Sequence, residues 1–353
     1  MDNNEELKRR LENLEKENNE LRQWQSSVNQ ILNQMLEAVE QLSSKSFDYA
    51  GLKQDVEKMW VFECINRYRI NSLPYELQDP DYKSFFFKPQ IMSSQETIRQ
   101  IVEEHKSLSR FGDGEFAAIV EQKRWNFQGE SRLLSQKLKE VLASREDNIL
   151  IGLNPSFYMN LFDMPDEDAD GVRSYMQPMV RKLHAQLLSP NWLYANALLH
   201  KIENNEDVLR LKRIWDERDC VFIEGEHTCM GVGNDLFENC KSIQRILGPA
   251  ENAVDKYDEI MSEAIKQSKD KLFLLALGPT ATALAYDLYK QGYQAVDIGH
   301  IDLIYEAFVR KLPDLYSVDI PYKYCSKDEK ISGRNIEQVN DPAYRTQIIS
   351  VIK

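Results

Sequence analysis

Residues 272–285 read L-F-L-L-A-L-G-P-T-A-T-A-L-A. The apolar run Leu272–Leu277 has the length and composition of a buried strand and is closed by Gly278 and Pro279. Proline is tolerated in the first turn of a helix, so Thr280 and Thr282 open a helix of small side chains. The same strand-then-helix unit recurs on both sides. Downstream, a strand over 294–298 leads into a helix over 302–310. Upstream, strands near 107–111, 148–153, 192–197, 219–224 and 242–247 alternate with helices near 97–106, 131–144, 172–187, 205–216, 234–240 and 253–268. Such alternation predicts an α/β domain: a Rossmann-like, mostly parallel sheet with flanking helices. Ligands of open parallel sheets bind beyond the carboxyl ends of the strands, which directs attention to four strand ends.

The first is R-F-G-D-G-E-F (110–116), where glycines at 112 and 114 bring Asp113 and Glu115 toward one point beside Arg110. Hard divalent cations are held by one or two carboxylates together with substrate phosphates, so a D-x-E pair suits a metal nucleotide diphosphate. The second is V-F-I-E-G-E-H-T-C-M-G-V-G-N-D-L-F (221–237), in which Gly231 and Gly233 precede a helix capped by Asn234 or Asp235. Glycines before a helix start let backbone N–H groups approach phosphate. The third is the opening Gly278–Thr280 turn. The fourth, A-V-D-I-G-H-I-D-L-I-Y-E-A-F (295–308), ends a strand at Gly299 and His300 and places Asp302 and Glu306 one helical turn apart. Each string alone also describes plain structure: a solvated turn, a capped helix, tight helix-on-sheet packing, and a helix-capping Asp302 beside a satisfied His300 and a solvent-facing Glu306.

Residues 1–45 contain no Gly or Pro, and Leu7, Leu11, Leu14, Asn18, Leu21, Gln25, Val28, Leu32, Met35, Val39 and Leu42 follow one another in steps of three and four. This is a heptad seam, which predicts a parallel homodimeric coiled coil; the alternative is one amphipathic helix packed on its own domain. Residues 46–95 read as a linking helical subdomain rich in breakers, S-L-P-Y-E-L-Q-D-P-D-Y among them, and 96–353 as the α/β domain.

The 353 residues carry 44 basic and 57 acidic side chains, a formal charge of −13, which argues against nucleic acid or an anionic membrane surface as partner. No apolar run reaches the length of a membrane span, and the opening M-D-N-N-E-E-L-K-R-R has no leader pattern, so a cytoplasmic location is expected. Five scattered cysteines without a C-x-x-C pair, and five scattered histidines, point away from disulfides and structural zinc.

Together the strings at 110–116 and 231–237, L-G-P-T-A-T-A-L-A-Y-D-L (277–288) and G-Y-Q-A-V-D-I-G-H-I-D (292–302) resemble the bacterial D-type-fold glycosyltransferases, a family formerly described as a domain of unknown function. The resemblance covers roughly 90–325. It implies transfer of a hexose, glucose first, from a UDP-sugar to a glycan or glycoprotein acceptor such as a glycosylated surface adhesin. It also implies a Mn²⁺ or Mg²⁺ ion on Asp113 and Glu115, and catalytic work by Glu306 and His300 with Asp302 beside them. Arg110, Gly112, Gly231, Gly233, Asn234, Gly278 and Thr280 would line the donor side. One departure stands out: His227, Thr228 and Cys229 occupy a loop where a basic residue is expected. A nucleotide-dependent hydrolase or phosphotransferase would use the same carboxylates, and an inert coiled-coil scaffold would use none of them.

Overall fold

The computed structural model describes residues 89–120, 128–158, 187–199, 201–313, 315–323 and 337–353, together with 26–28, 30–34, 56 and 59. The chain divides into two compact units, Met1–Phe85 with Asn160–Pro178, and Phe86–Met159 with Met179–Lys353. In the first unit the described positions 26–28 and 30–34 are helical, with Leu32 buried within the single chain and Ile31 exposed. Most of the heptad segment 1–45, nearly all of 46–88, and the helix expected over 172–187 except residue 187 lie outside the described residues.

The second unit is the α/β domain. Its elements are β1 (Gln90–Ile91), α1 (Ser94–Glu103), β2 (Ser107–Phe111), α2 (Asp113–Ile119), α3 (Arg132–Ala143), β3 (Ile149–Leu153) and β4 (Leu193–Asn196). They continue with α4 (Asn205–Lys212), β5 (Asp219–Gly225), β6 (Ser242–Gly248), α5 (Tyr257–Ala264), β7 (Leu272–Ala276), α6 (Pro279–Lys290), β8 (Gln294–Asp297) and α7 (Ile301–Arg310). The C-terminal pair is α8 (Pro342–Gln347) and β9 (Ile348–Val351). Among the described residues the strands form one nine-stranded sheet, every pairing parallel, in the order β1-β4-β3-β2-β8-β7-β5-β6-β9.

The apolar strands lie at the centre because helices cover both faces of a parallel sheet. Val221, Phe222 and Ile223 of β5 and Leu272–Leu275 of β7 have no exposed surface. Trp215 and Phe222 both pack on Phe237, with ring centroids 4.7 and 4.8 Å away. Helix α6 can lie close to the sheet because its inward residues are small: Ala281, Thr282, Ala283 and Ala285 are all buried. Ser109 of β2 closes that contact by donating to the Thr282 carbonyl at 2.8 Å.

Two local expectations fail. The helix expected over 234–240 is a series of turns, with Asn234, Glu238 and Cys240 each donating to the carbonyl three residues back. Left-handed backbone at Cys229, Gly231 and Gly233 (φ 49°, 72° and 84°) precedes it, and Trp215 Nε1 takes the Leu236 carbonyl at 3.1 Å, so an i to i−4 ladder does not start. Conversely, the Gly-Asp-Gly-Glu string is not an isolated turn but the first turn of α2. There the Glu115 carboxylate accepts the Gly112 N–H at 2.7 Å and completes a cap.

Candidate functional site

Strand order reverses between β2 and β8. From β2 the chain moves outward to β3 and β4, whereas beyond β8 it runs through α7 toward β9 at the opposite edge. A crevice outside the carboxyl ends of two such strands is where open α/β sheets bind ligands. Arg110, near the end of β2, donates through Nη1 to the Ala197 carbonyl at 3.0 Å and through Nη2 to Asp297 Oδ1 at 3.3 Å. Asp297 is the last residue of β8 and is buried; its Oδ1 also accepts the Gly299 N–H at 3.1 Å, and its Oδ2 lies 2.9 Å from Thr282 Oγ1 of α6. Gly299 has φ +52°, and a Cβ there would collide with the Arg110 guanidinium, so the turn that delivers His300 requires glycine.

His300 is exposed, yet protein crowds its ring. Desolvation, followed by the Arg110 charge, pulls its pKa below the ordinary 6.5, against weaker opposing pulls from Asp297 and Asp113. The imidazole is therefore neutral at pH 7 and able to accept a proton. Asp113 is exposed at the start of α2. Glu115, two residues on, is half-buried, and burial, then Asp297, then Asp113 push its carboxyl up to about 7. The structure thus brings Arg110, Gly112, Asp113, Glu115 and His300 to one mouth. Gly278 and Thr280 begin the adjoining helix α6. Gly278 has φ 55° and ψ −149°, a glycine conformation, and Thr280 Oγ1 is buried and donates to Gln128 at 3.3 Å.

Asp302, Glu306, Gly231, Gly233 and Asn234 belong to a second cluster. Asp302 and Glu306 share a face of α7, as their spacing implies, and both are buried. Asp302 Oδ1 accepts the Gly231 N–H at 3.0 Å and Asn234 Nδ2 at 2.8 Å, while Oδ2 accepts Lys323 Nζ at 2.7 Å. Glu306 accepts Asn234 Nδ2 at 2.7 Å and Arg310 Nε at 2.8 Å, with Lys323 Nζ 3.6 Å away. The Gly231 amide, expected to cradle phosphate from a helix start, is instead committed to Asp302, and no helix starts there. Gly233 is needed for another reason: at φ +84°, a Cβ would lie 2.6 Å from the Tyr322 hydroxyl.

The loop that lacks a basic residue packs inward. Cys229 is buried, its Sγ lies 3.6 Å from the Tyr322 carbonyl and 3.7 Å from the Tyr344 hydroxyl, and burial pushes its thiol up to about 12. Behind it Glu224 and Arg245 form a buried ion pair across β5 and β6; Glu224 also accepts the Met230 N–H at 2.7 Å, and Arg245 donates to the Met230 carbonyl at 2.9 Å.

The family model of the glycosyltransferase GT-D fold matches residues 108–327, a span that contains the mouth, the second cluster and both central strands. The chain belongs to this GT-D family. Glycosyltransferase GlyD of Streptococcus pneumoniae serotype 4 is 29% identical over 288 residues, covering 78% of this chain and 35% of that protein. The probable glycosyl transferase Gly of Streptococcus gordonii is 28% identical over 267 residues, covering 74% of this chain and 38% of its own length. The chain thus spans little more than a third of either relative. A solved glycosyltransferase from Streptococcus sanguinis superposes with a TM-score of 0.67 at 27% identity, covering 75% of this chain and 100% of that one. A structure described as domain of unknown function 1792 with a distinct glycosyltransferase fold gives the same TM-score and identity, covering 75% and 96%.

Within this GT-D domain, sequence reading missed Asp297, Thr282, Lys323 and the Glu224–Arg245 pair. The available signal was a lone charge inside an apolar strand: A-V-D-I, V-F-I-E and S-I-Q-R-I-L each carry one. Lys323, in the polar stretch P-Y-K-Y, carried no such signal. Among the described residues, no group of three or more His, Cys, Asp or Glu is arranged to hold a metal by itself, and no helix is long and apolar enough to cross a membrane.

Proposed function

We propose that this GT-D glycosyltransferase transfers a hexose, glucose first, from a UDP-sugar to a hydroxyl of a glycan or glycoprotein acceptor at the mouth of β2 and β8. The observation that carries the reading is the gathering of Arg110, Asp113, Glu115 and His300 at a strand-order reversal inside the family's matched span. Arg110 takes a phosphate oxygen of the donor, since a guanidinium suits diphosphate recognition. The first turn of α6 at Gly278 and Thr280 forms the adjoining wall, linked to the mouth through Thr282, whose Oγ1 lies 2.9 Å from the Arg110 carbonyl.

Two residues compete for the acceptor proton. His300 is exposed at the mouth and neutral at pH 7, whereas Glu306 is buried with both oxygens engaged by donors. His300 therefore takes the proton from the attacking hydroxyl, and Glu306 with Asp302 holds α7 and the 230–234 turns in place.

Asp113 and Glu115 are the carboxylates that would hold a Mn²⁺ or Mg²⁺ ion together with phosphate oxygens of the donor. Glu115 has the character of such a ligand: burial first, then the charges of Asp297 and Asp113, raise its carboxyl, and a cation would relieve that charge. When bound, the ion would offset charge on the leaving diphosphate. The test is product analysis with labelled UDP-glucose. Label appearing on an acceptor glycan, and lost in Asp113→Ala and Glu115→Ala, is the expected result; release of free sugar or phosphate at the same rate without acceptor would identify a hydrolase instead.

Residues 1–45 are proposed to pair two copies as a coiled coil, on the strength of the heptad seam. Sedimentation of the full chain against one lacking 1–45 should show a dimer becoming a monomer. An unchanged mass would assign the segment to packing on its own unit, as the covered Leu32 side chain would also suit.

A further inference from the structure

We propose that Asp297 is a positioning residue for the donor: it fixes the Arg110 guanidinium at the end of β2, where the nucleotide diphosphate would lie. This rests on the donor reading of the mouth given above. A carboxylate at the end of an apolar strand is expensive to bury unless it is paired and hydrogen-bonded. Asp297 meets that condition by joining three elements. It takes Nη2 of Arg110 from β2, lies 2.9 Å from Thr282 Oγ1 of α6, and accepts the Gly299 N–H in the turn that carries His300. The guanidinium is gripped from the other side by the Ala197 carbonyl beyond β4. Gly299 leaves out the side chain that would occupy the guanidinium's place.

Arginine's planar fork recognises phosphate by geometry as well as by charge, so a fixed guanidinium binds a diphosphate better than a mobile one. Asp297 supplies the fixed geometry, and Arg110 makes the contact. Asp297→Asn keeps the size of the side chain. Thr282 can then donate to the Arg110 carbonyl at 2.9 Å while accepting from the new amide.

The experiment is calorimetric titration of UDP, with Mn²⁺, into the full chain and into Asp297→Asn, Arg110→Ala and the double variant, with melting temperatures alongside. Asp297→Asn is expected to weaken UDP binding about 10- to 100-fold, the usual scale for losing a residue that orients a ligand contact. In the Arg110→Ala background it should weaken binding no further, because a residue that acts through another has no separate effect once that other is gone. An equal loss in both backgrounds, or no loss from Asp297→Asn while Arg110→Ala binds weakly, overturns the proposal. Unchanged affinity in Arg110→Ala overturns the donor reading of the mouth, and the proposal with it. Should Asp297→Asn fail to fold, Arg110→Lys decides, since it keeps the charge and loses the fork: weakened UDP binding supports the proposal, and native affinity overturns it.

Discussion

Glu115 and Glu306 both lie on a helix that follows a strand of the same sheet, in the first turn of α2 and the middle of α7, and their surroundings differ in kind. Glu306 is buried and accepts from Asn234 and Arg310, with Lys323 3.6 Å away, so two cations balance the paired charges of Asp302 and Glu306. Glu115 caps its own helix through Gly112 but otherwise faces Asp113 and Asp297, and its carboxyl is pushed up to about 7. A carboxylate whose oxygens are already filled by donors serves the fold, because recruiting it for chemistry would strand its partners. A carboxylate short of cations, beside an exposed neutral imidazole, is one where an incoming charged substrate changes the electrostatics most.

The largest expected effect that separates the two regions is on turnover. His300→Ala should lower the rate of sugar transfer by about a hundred- to ten-thousand-fold, with the melting temperature unchanged. Glu306→Gln should cost less than about tenfold in rate while losing about 1–3 kcal/mol of stability through a disturbed buried hydrogen-bond network. Steady-state transfer assays with thermal melts check both, and the reverse pattern would return Glu306 to the chemistry.

Next comes the stability of the second cluster. Lys323→Met leaves Asp302 without its cation, and breaking a buried pair in this way costs about 3–5 kcal/mol. Urea unfolding measures it, and a midpoint equal to that of the native chain would mean the cluster is not the anchor its geometry describes.

The smallest effect is a pH dependence. Glu115 has its folded pKa raised from 4.5 to about 7, so its contribution to stability is complete below about 4.5 and is lost as pH rises through about 7. Partial exposure screens the effect to about 1–2 kcal/mol. Glu115→Gln keeps the cap acceptor and cannot ionise, so its unfolding midpoint should fall less than the native one between pH 5 and pH 8. Parallel pH profiles for the two proteins would remove Glu115 from the electrostatics of the mouth.

Much of this was legible in the residues, for physical reasons. Apolar runs such as 272–277 and 220–223 mark strands covered on both faces, and they fell where the structure has β7 and β5. Periodicity failed over 226–241, where left-handed residues and side-chain ties, not an apolar face, set the backbone. It failed also at β9, a four-residue edge strand entered directly from α8, too short to show a pattern. At the site, the string R-F-G-D-G-E-F pointed to the residues gathered at the mouth, but not to the helix it begins, whose cap takes one Glu115 oxygen through the Gly112 N–H. Which of Asp302, Glu306 and His300 faces solvent was not legible, because it depends on Asn234 and Lys323, far away in sequence.

The most direct test of the mouth as donor site is a calorimetric titration of UDP into the full chain with and without Mn²⁺, repeated on Asp113→Ala. Binding that requires the metal and is lost in the variant is the expected result; equal binding by both proteins, or none by the native chain, would contradict it.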